Sequence, residues 1–348
     1  MVNMNKILNS ITDKGADKSM RENMASNAGL LDRKQFNQFI REIELNTTIL
    51  YDAAFRRMER EKEVTSGVLI NGRVLQDAYL KDTHETKPDL KEAELGFGMA
   101  ELNAHKLRAK THIDDDELED NIETEQFQNT LLSLMASRIG EDLEALAIYG
   151  DTTLDYNAQP LFHTYDGWVK KATIGLKSSE LGTSASTKNF DVHANTIEAM
   201  FDAILRALPL RIRQSKLMSN FVFYVPYEVE DAYRNLLKSR GTALGDSAQT
   251  GNIPLYYKKY PVKYCPTLDA EDGRSLDNTV TTIGGIPSLW KWGVYKDVKL
   301  EPERKADIER TNFYYRTRCA VGLEWNASLI TAKLTADEAA KIQDEAKT

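Results

Sequence analysis

The sequence has few cysteines, no long apolar run and no excess of basic residues, and each absence excludes a class of protein. Its two cysteines, Cys265 and Cys319, form no CxxC pair. They indicate neither a disulfide framework nor a zinc site, so we expect reduced, partly buried thiols in a reducing compartment. No apolar stretch approaches the roughly 18 residues of a membrane span, and residues 1–20 lack the apolar centre of a signal peptide. We therefore expect a protein that works without export and without a membrane.

Basic residues are outnumbered by acidic ones. The 348 residues include 45 Lys and Arg against 53 Asp and Glu, which gives a net charge of −8 and a pI of about 5.4. A protein that binds nucleic acid by neutralising phosphates needs a basic surface, so the composition argues against that function. The hydrophobic share of 41% and the charged share of 28% are those of an ordinary folded chain, long enough for roughly two or three domains.

Motifs that carry enzyme chemistry are also missing. The five histidines show neither HExxH nor another metal-ligand spacing; they are His84, His105, His112, His163 and His193. No GxSxG elbow is present, the glycine-rich loop at 240–252 lacks GK[ST], and Gly96-x-Gly98 lacks the third glycine of a dinucleotide site. We therefore predict no catalytic, cofactor-binding or metal-binding residues, and a protein that is not an enzyme.

One stretch is strongly acidic. Residues 114–125, DDDELEDNIETE, contain eight acidic residues and no basic one. Acidic residues are favoured near the start of a helix by its dipole, and Asp114 with Glu117 fits a capping arrangement. We prefer this interpretation. A divalent-cation site is the alternative, although the spacing is not that of an EF-hand.

A long helix is the most informative element that is present. Residues 124–151 place apolar residues three and four positions apart, which predicts one apolar stripe. The stripe consists of Phe127, Leu131, Leu134, Met135, Ile139, Leu143 and Leu146. Thr124 can cap the start, and Gly150 suits the position just past the end. At about 1.5 Å per residue the helix is roughly 37 Å long, which makes it a strut.

The segments before this helix divide into a helix and an extended excursion. After a polar stretch at 1–30, apolar periodicity predicts a helical region from Leu31 to Lys62. Asn71-Gly72 between apolar flanks then signals a hairpin, and residues 93–113 alternate as a strand does. Residues 61–110 therefore form an excursion of strands with little core of its own, which needs a partner surface.

The segments after it predict an α/β subdomain and a strand pair. Residues 192–285 suggest helices at 196–208 and 227–238 and strands at 221–225, 256–264 and 280–283. Residues 287–334 alternate on both sides of a charged turn, ERKADIER, which predicts one long antiparallel pair. The aromatic residues Trp290, Trp292, Phe313, Tyr314, Tyr315 and Trp325 belong there. With strand spacing and an acidic chain, a core or subunit interface is favoured over base stacking.

Three segments, in this order and spacing, resemble the major capsid proteins of tailed bacteriophages, which share the Hong Kong 97-type (HK97-like) capsid fold. The first runs from LNAHKLRAKTHIDDDELEDN into the long helix that ends in Gly150-Asp151. The second is QPLFHTYDGWVKKA, with Asp166-Gly167-Trp168. The third is 286–334, with Gly293, Asp297, Arg316, Arg318 and Ala327. The resemblance covers residues 31–334 and lies in order and spacing rather than in one specific motif.

The resemblance implies an α+β fold and a division of the chain. The N-terminal arm and helix would occupy 1–60, and an extended loop (E-loop) that lies across an adjacent subunit would occupy 61–110. A discontinuous peripheral domain with the long spine helix would comprise 111–191 and 286–334. An axial α/β domain would be inserted at 192–285, with the glycine-rich loop as its tip, and 335–348 would be a C-terminal tail.

The implied function is that of a major capsid protein. It would self-assemble as hexamers and pentamers into an icosahedral shell around a double-stranded DNA genome, in the virion after assembly in the host cytoplasm. The implied partners are other copies of the chain, a portal protein, a decoration protein and DNA contacted without sequence specificity, and no cofactor. The long N-terminal scaffold segment of the type member is absent, so a separate scaffolding protein is expected.

The resemblance raises two further expectations. Arg56, Arg57 and Arg60 would pair with acidic residues of a neighbouring subunit. An isopeptide crosslink from a lysine of the excursion is an alternative that we do not favour, because the sequence shows no matched asparagine. Those lysines are Lys81, Lys87, Lys91 and Lys106. An encapsulin-type nanocompartment shell is the alternative function, and an uncharacterised enzyme is a more distant one.

Overall fold

The structure is a computed structural model of the chain. It describes residues 41, 43, 45–71, 94–114, 124–177, 196–239, 254–269, 279–295, 299–305 and 307–335. Contacts divide the chain into two compact units, the first made of residues 1–62, 103–165 and 292–320 and the second of residues 63–102, 166–291 and 321–348. Each unit joins segments that are distant in sequence, so each core closes only when those segments meet.

The described elements are as follows. The helices are α1 (Ile49–Asp52), α2 (Thr124–Tyr149), α3 (Trp168–Lys171), α4 (Thr196–Ala207), α5 (Leu210–Arg213) and α6 (Tyr227–Ser239). The strands of the first half are β1 (Ala54–Met58), β2 (Lys62–Asn71), β3 (Glu94–Asn103), β4 (His105–Asp114) and β5 (Ile174–Lys177). The later strands are β6 (Val222–Val225), β7 (Leu255–Tyr257), β8 (Tyr260–Tyr264), β9 (Thr279–Gly285), β10 (Trp290–Tyr295), β11 (Lys299–Lys305), β12 (Arg310–Leu323) and β13 (Leu329–Thr335).

The long helix is confirmed as α2, which ends at Tyr149, directly before Gly150. The prediction of a single apolar stripe is wrong for its last turns, because every residue from Leu143 to Ile148 is buried. Leu134, which the pattern placed in the stripe, is 63% exposed. The C-terminal turns of α2 are therefore surrounded by the core of the first unit, and one-sided periodicity does not describe a helix in that position.

A buried carboxylate connects α2 to the short helix α1 in the first unit. Glu144 is 2% exposed, and its Oε1 accepts hydrogen bonds from the backbone N–H groups of Thr48 (2.9 Å), Ile49 (2.5 Å) and Leu50 (3.3 Å). These donors belong to the first turn of α1, where no intrahelical acceptor exists. The negative charge also lies at the positive end of that helix. The carboxylate of Glu144 therefore provides an acceptor for these N–H groups, and the N–H groups provide hydrogen bonds for the buried carboxylate.

The predicted helical region at 31–62 is wrong beyond α1. Residues 54–58 form β1 and residues 62–71 form β2. The ring of Phe55 contacts that of Trp292 on β10 at 4.6 Å between centroids, and Met58 is buried. A Cβ on Gly293 would lie 2.9 Å from Met58 Cγ, so the two strands approach closely where Gly293 has no side chain. Pairing with a distant strand overrides the local helical preference.

The first sheet contains five strands. Its order is β1-β10-β12-β11, and β4 also pairs with β12. The antiparallel pair predicted around the charged turn is confirmed for β11 and β12, with Glu303 opposite Asn312. It is wrong for the end of the region, because β13 leaves this sheet and joins the other one. The break lies at 324–328, where the chain turns between β12 and β13.

The second sheet contains six strands in the order β5-β13-β9-β6-β8-β7. The helices predicted at 196–208 and 227–238 are confirmed as α4 and α6, and the strands predicted at 221–225 and 280–283 as β6 and β9. The segment predicted as a strand at 256–264 is two strands joined by a turn at Lys258 and Lys259. The two rings of Phe201 and Phe223 pack at 4.7 Å between centroids. An aromatic core therefore lies between helix and sheet.

The Asp-Gly-Trp segment is held against the chain that leaves β12. Trp168 is 1% exposed, and its Nε1 donates to the carbonyl oxygen of Gly322 at 3.2 Å. Lys171 Nζ donates to the carbonyl oxygen of Val321 at 2.6 Å, and burial lowers the pKa of this lysine. Trp168 also packs on Trp290 at 5.8 Å between ring centroids. The expectation that Trp290 is a core residue is confirmed by its exposure of 0%.

Neither cysteine forms a disulfide bond, and both are buried, Cys265 at 0% exposure and Cys319 at 3%. Burial raises the pKa of the Cys319 thiol to about 12, so this group stays protonated near pH 8, whereas only a thiolate attacks thiol reagents readily. We expect neither cysteine to react with such a reagent in the folded protein and both to react after unfolding. Reagent absorbance with and without denaturant measures this. Rapid labelling of the native protein would contradict the burial of these thiols.

Candidate assembly surface

Strands β2 and β3 pair only with each other among the described strands and form a two-stranded sheet. We call this pair the ribbon. Residues 63–68 of β2 and 95–102 of β3 alternate between more and less exposed positions, as expected when one face of a sheet is covered and the other is open. The strands of the excursion predicted at 61–110 are confirmed for these residues, but the prediction is wrong for 105–110, which belong to β4 and pair with β12 of the first sheet. Residues 72–93, including the hairpin signal at Gly72, lie outside the described part of the chain.

The open face of the ribbon carries large apolar side chains. All of them are between 54% and 64% exposed. They are Val64, Val68, Leu95, Phe97 and Met99. Scattered exposed apolar residues are normal, but a contiguous group of this kind marks an interaction surface. The alternation of large apolar residues with Gly, Thr and Ala in the sequence was the signal that could have located this face.

The other face of the ribbon lies on a turn that follows β12. A Cβ on Gly98 would lie 2.4 Å from the carbonyl oxygen of Glu324 and 2.5 Å from Trp325 Nε1, and one on Gly67 would lie 3.0 Å from Glu324 Oε2. The turn itself is fixed, because Glu324 pairs with the half-buried Lys291 at 3.1 Å. The glycines therefore let the ribbon lie flat on a rigid support, with its apolar face outward.

The arginines predicted to meet a neighbouring subunit lie on and just after β1. Arg56, Arg57 and Arg60 are all exposed. Of the excursion lysines only Lys106 is described, on the exposed side of β4. Lys81, Lys87 and Lys91, and the acidic residues 115–123, lie outside the described residues.

Within the described part of the chain, no group of three His, Cys, Asp or Glu side chains is placed to hold a metal ion. His163 Nδ1 is 2.6 Å from the carbonyl oxygen of Leu154, and the His105 ring lies 5.9 Å from that of Tyr165. A cleft of about 450 Å³ in the second unit is lined mainly by basic and apolar residues, with Asp202 as its acidic member.

None of the described helices combines the length and the hydropathy that crossing a bilayer requires.

Comparison with known proteins gives one relative in sequence and several in structure. A protein of Bacillus subtilis (strain 168), provisionally named a prophage capsid protein, YqbE, is 26% identical over 292 residues, which cover 82% of this chain and 85% of the relative. A chain of the satellite phage P4 procapsid that includes the size determination (Sid) protein is similar with a TM-score of 0.56 at 12% identity, covering 85% of this chain and 98% of that one. No protein-family model matches the chain.

Two further solved structures agree. A chain from the capsid of a native GTA particle has a TM-score of 0.52 at 13% identity and covers 85% of this chain and 91% of its own. A chain from Mycobacterium phage Ogopogo has a TM-score of 0.51 at 10% identity and covers 82% and 91%. Similarity over more than 90% of each of these three solved chains is a similarity of the whole fold. The resemblance to tailed-bacteriophage capsid proteins that the sequence predicts is thereby confirmed: the chain has the α+β fold of phage capsid proteins.

Proposed function

We propose that this chain is the major capsid protein of a tailed bacteriophage and that it assembles as hexamers and pentamers into an icosahedral shell around double-stranded DNA. The observation that carries the proposal is the ribbon, whose open face exposes five large apolar side chains on a chain with the capsid fold. A two-stranded sheet is marginally stable alone. A group of exposed apolar side chains of this kind marks a surface that binds another molecule.

In this proposal the covering surface is a neighbouring copy of the chain. Each copy would place its ribbon across the next one, as the resemblance implies for the E-loop. Closed symmetry then repeats each modest contact around the shell, so that many weak interfaces give a stable container. Exposed Arg56, Arg57 and Arg60 would add charge pairs with acidic residues of a neighbour.

The similarity in sequence supports a phage shell rather than an encapsulin, because the relative in Bacillus subtilis is named for a prophage capsid. The remaining partners stay predictions: a portal protein, a separate scaffolding protein and a decoration protein. The boundaries of the peripheral domain at 111–191 and 286–334 and of the axial domain at 192–285 are also predictions. Assembly in the host cytoplasm and location in the virion follow from the proposed function.

The proposal is tested by expressing the chain alone and together with the neighbouring phage genes. With those genes present we expect closed, uniform particles in negative-stain electron microscopy and fast-sedimenting material in a sucrose gradient. A chain that sediments as a fully folded monomer under every condition, including in the presence of its gene neighbours, would contradict the proposed function. DNA protected from nuclease inside the particles would identify the contents.

The role of the ribbon face is tested by Phe97→Asp. Burial of a phenylalanine in an interface contributes about 1.5–3 kcal/mol, so each lost contact weakens assembly by about tenfold or more. Phe97 is 59% exposed in the subunit, so its replacement should leave the unfolding midpoint of unassembled subunits nearly unchanged. Particle yield from sucrose gradients is the measurement. Phe97→Leu, which keeps an apolar side chain, is the control and should assemble normally. Equal yields from both variants would exclude this face from the interface.

A further inference from the structure

Four cationic side chains meet on the exposed side of the β4–β12 strand pair in the first unit. The antiparallel register places Arg108 opposite Arg316 and Lys106 opposite Arg318. Directly opposite residues have their Cβ atoms about 4.5–5.5 Å apart, and positions two residues apart along a strand are separated by about 6.6 Å on the same face. We call these four residues the basic ladder. The next cross-strand position continues it, because Lys110 Nζ lies 5.6 Å from the ring centre of Tyr314.

The basic ladder is unfavourable for the isolated subunit. Like charges directly opposite each other on a sheet destabilise the pairing. The pKa of Lys106 is lowered, first by Arg108, then by partial desolvation, and then by Arg316 and Arg318. Neither Lys106 nor Arg108 forms an ion pair within the described part of the chain, whereas Arg318 has Glu61 at 3.6 Å. On β4, Lys106 and Arg108 therefore have no acidic partner among the described residues.

The sequence contains a segment of the opposite charge. Residues 114–125 carry eight acidic residues and no basic one. Outside this segment the remaining 45 acidic residues equal the 45 lysines and arginines, so the net charge of the chain equals that of this one segment. Its first residue, Asp114, stands opposite Arg310 at the other end of β4. At about 3.3 Å per residue that end is roughly 26 Å from Lys106, so the acidic segment starts far from the ladder of its own chain.

We propose that in the assembled shell the basic ladder of one copy binds the acidic segment 114–125 of a neighbouring copy. This inference rests on the proposed function. Charge complementarity identifies the occupant, because a row of carboxylates removes the repulsion within the ladder and within the segment at once. A continuous phosphate backbone fits less well, since Glu61 lies at the edge of the ladder and the chain as a whole is acidic. The contact would give Lys106 and Arg108 the acidic partners that they lack among the described residues, and it would favour the assembled state.

The test is a charge exchange. In Lys106→Glu/Arg108→Glu the new carboxylates lie opposite Arg318 and Arg316, so the thermal midpoint of unassembled subunits should rise by about 1–2 °C. The same variant should lose about tenfold in particle yield, because acidic residues now face acidic residues across the interface. Adding Glu117→Lys/Glu119→Lys should restore the yield. Lys216→Glu, an exposed lysine of the second unit, is the control and should change neither quantity.

Several outcomes would overturn the inference. Unchanged particle yield in the ladder variant, or no recovery in the exchange variant, excludes the contact. Particles formed in normal yield that retain less DNA would assign the ladder to the genome instead. A fall in the thermal midpoint of unassembled subunits, recovered by the exchange, would place the contact within one chain. If the unaltered chain forms no particles with its gene neighbours, the proposed function itself fails, and that result is obtained before any variant is made.

Discussion

Replacing Glu144 with alanine should lower the free energy of unfolding of the subunit by about 3 kcal/mol or more, since hydrogen bonds to a charged group contribute about 1.5–3 kcal/mol and buried unpaired donors are costly. The carboxylate is 2% exposed and accepts three backbone N–H groups of residues 48–50. Alanine would leave these donors at the start of α1 without an acceptor. Urea unfolding of unassembled subunits, followed by circular dichroism, measures the loss.

Two companion variants separate the role of the carboxylate from that of the helix. Glu144→Gln keeps an oxygen acceptor and loses only the charge, so it should cost about 1 kcal/mol. Glu141→Ala removes a glutamate from the exposed side of α2, where it pairs with Arg138 at 2.9 Å, and should change stability by less than about 0.5 kcal/mol. A Glu144→Ala protein as stable as the Glu141→Ala protein would show that the buried hydrogen bonds contribute nothing.

Replacing Gly98 with alanine should destabilise the subunit by about 2 kcal/mol through overpacking, because the added Cβ meets atoms that cannot move away. It would lie 2.4 Å from the carbonyl oxygen of Glu324 and 2.6 Å from Trp325 Cε2. The turn at 324–325 is held in place by the Lys291–Glu324 ion pair at 3.1 Å. The ribbon must then move away from the turn at 324–325, so we also expect faster proteolysis within β2 and β3. Urea unfolding and timed digestion analysed by mass spectrometry measure the two effects.

The matched control is the same chemical change at Gly175 on β5. A Cβ there would lie 3.4 Å from Thr331 Oγ1, which is an ordinary contact. Gly→Ala also reduces the conformational freedom of the unfolded chain equally at both positions, and this stabilises by about 0.4–1 kcal/mol where the native backbone accepts it. Gly175→Ala should therefore be neutral or slightly stabilising. Similar stabilities for the two variants would mean that the ribbon does not depend on close contact with the turn at 324–325.

Much of the fold could be predicted from local patterns. Helices α2, α4 and α6 have strong periodicity or clear boundary residues, such as Pro226 before α6, and strands β3, β4 and β12 alternate over many residues. Local signals failed where a distant partner decided the structure. The charged, helix-like stretch FRRMEREKE begins within β1, which is a strand because it pairs with β10. Strand β13 continues the alternation of β12, yet it joins the other sheet after the turn at 324–328.

The candidate assembly surface and the basic ladder were likewise predictable from the sequence only in part. The sequence alone predicted an excursion of strands that needs a partner, because 61–110 alternates without a core, and it located the acidic segment at 114–125. The sequence could not predict the strand register, because only the pairing of β4 with β12 places Lys106 opposite Arg318. The sequence could not predict the burial of Glu144 either. In the sequence it is one of several glutamates of α2, and only the packing of the first turn of α1 distinguishes it. Period and charge are properties of neighbouring residues, whereas a pairing partner or a buried acceptor is created only when distant segments meet.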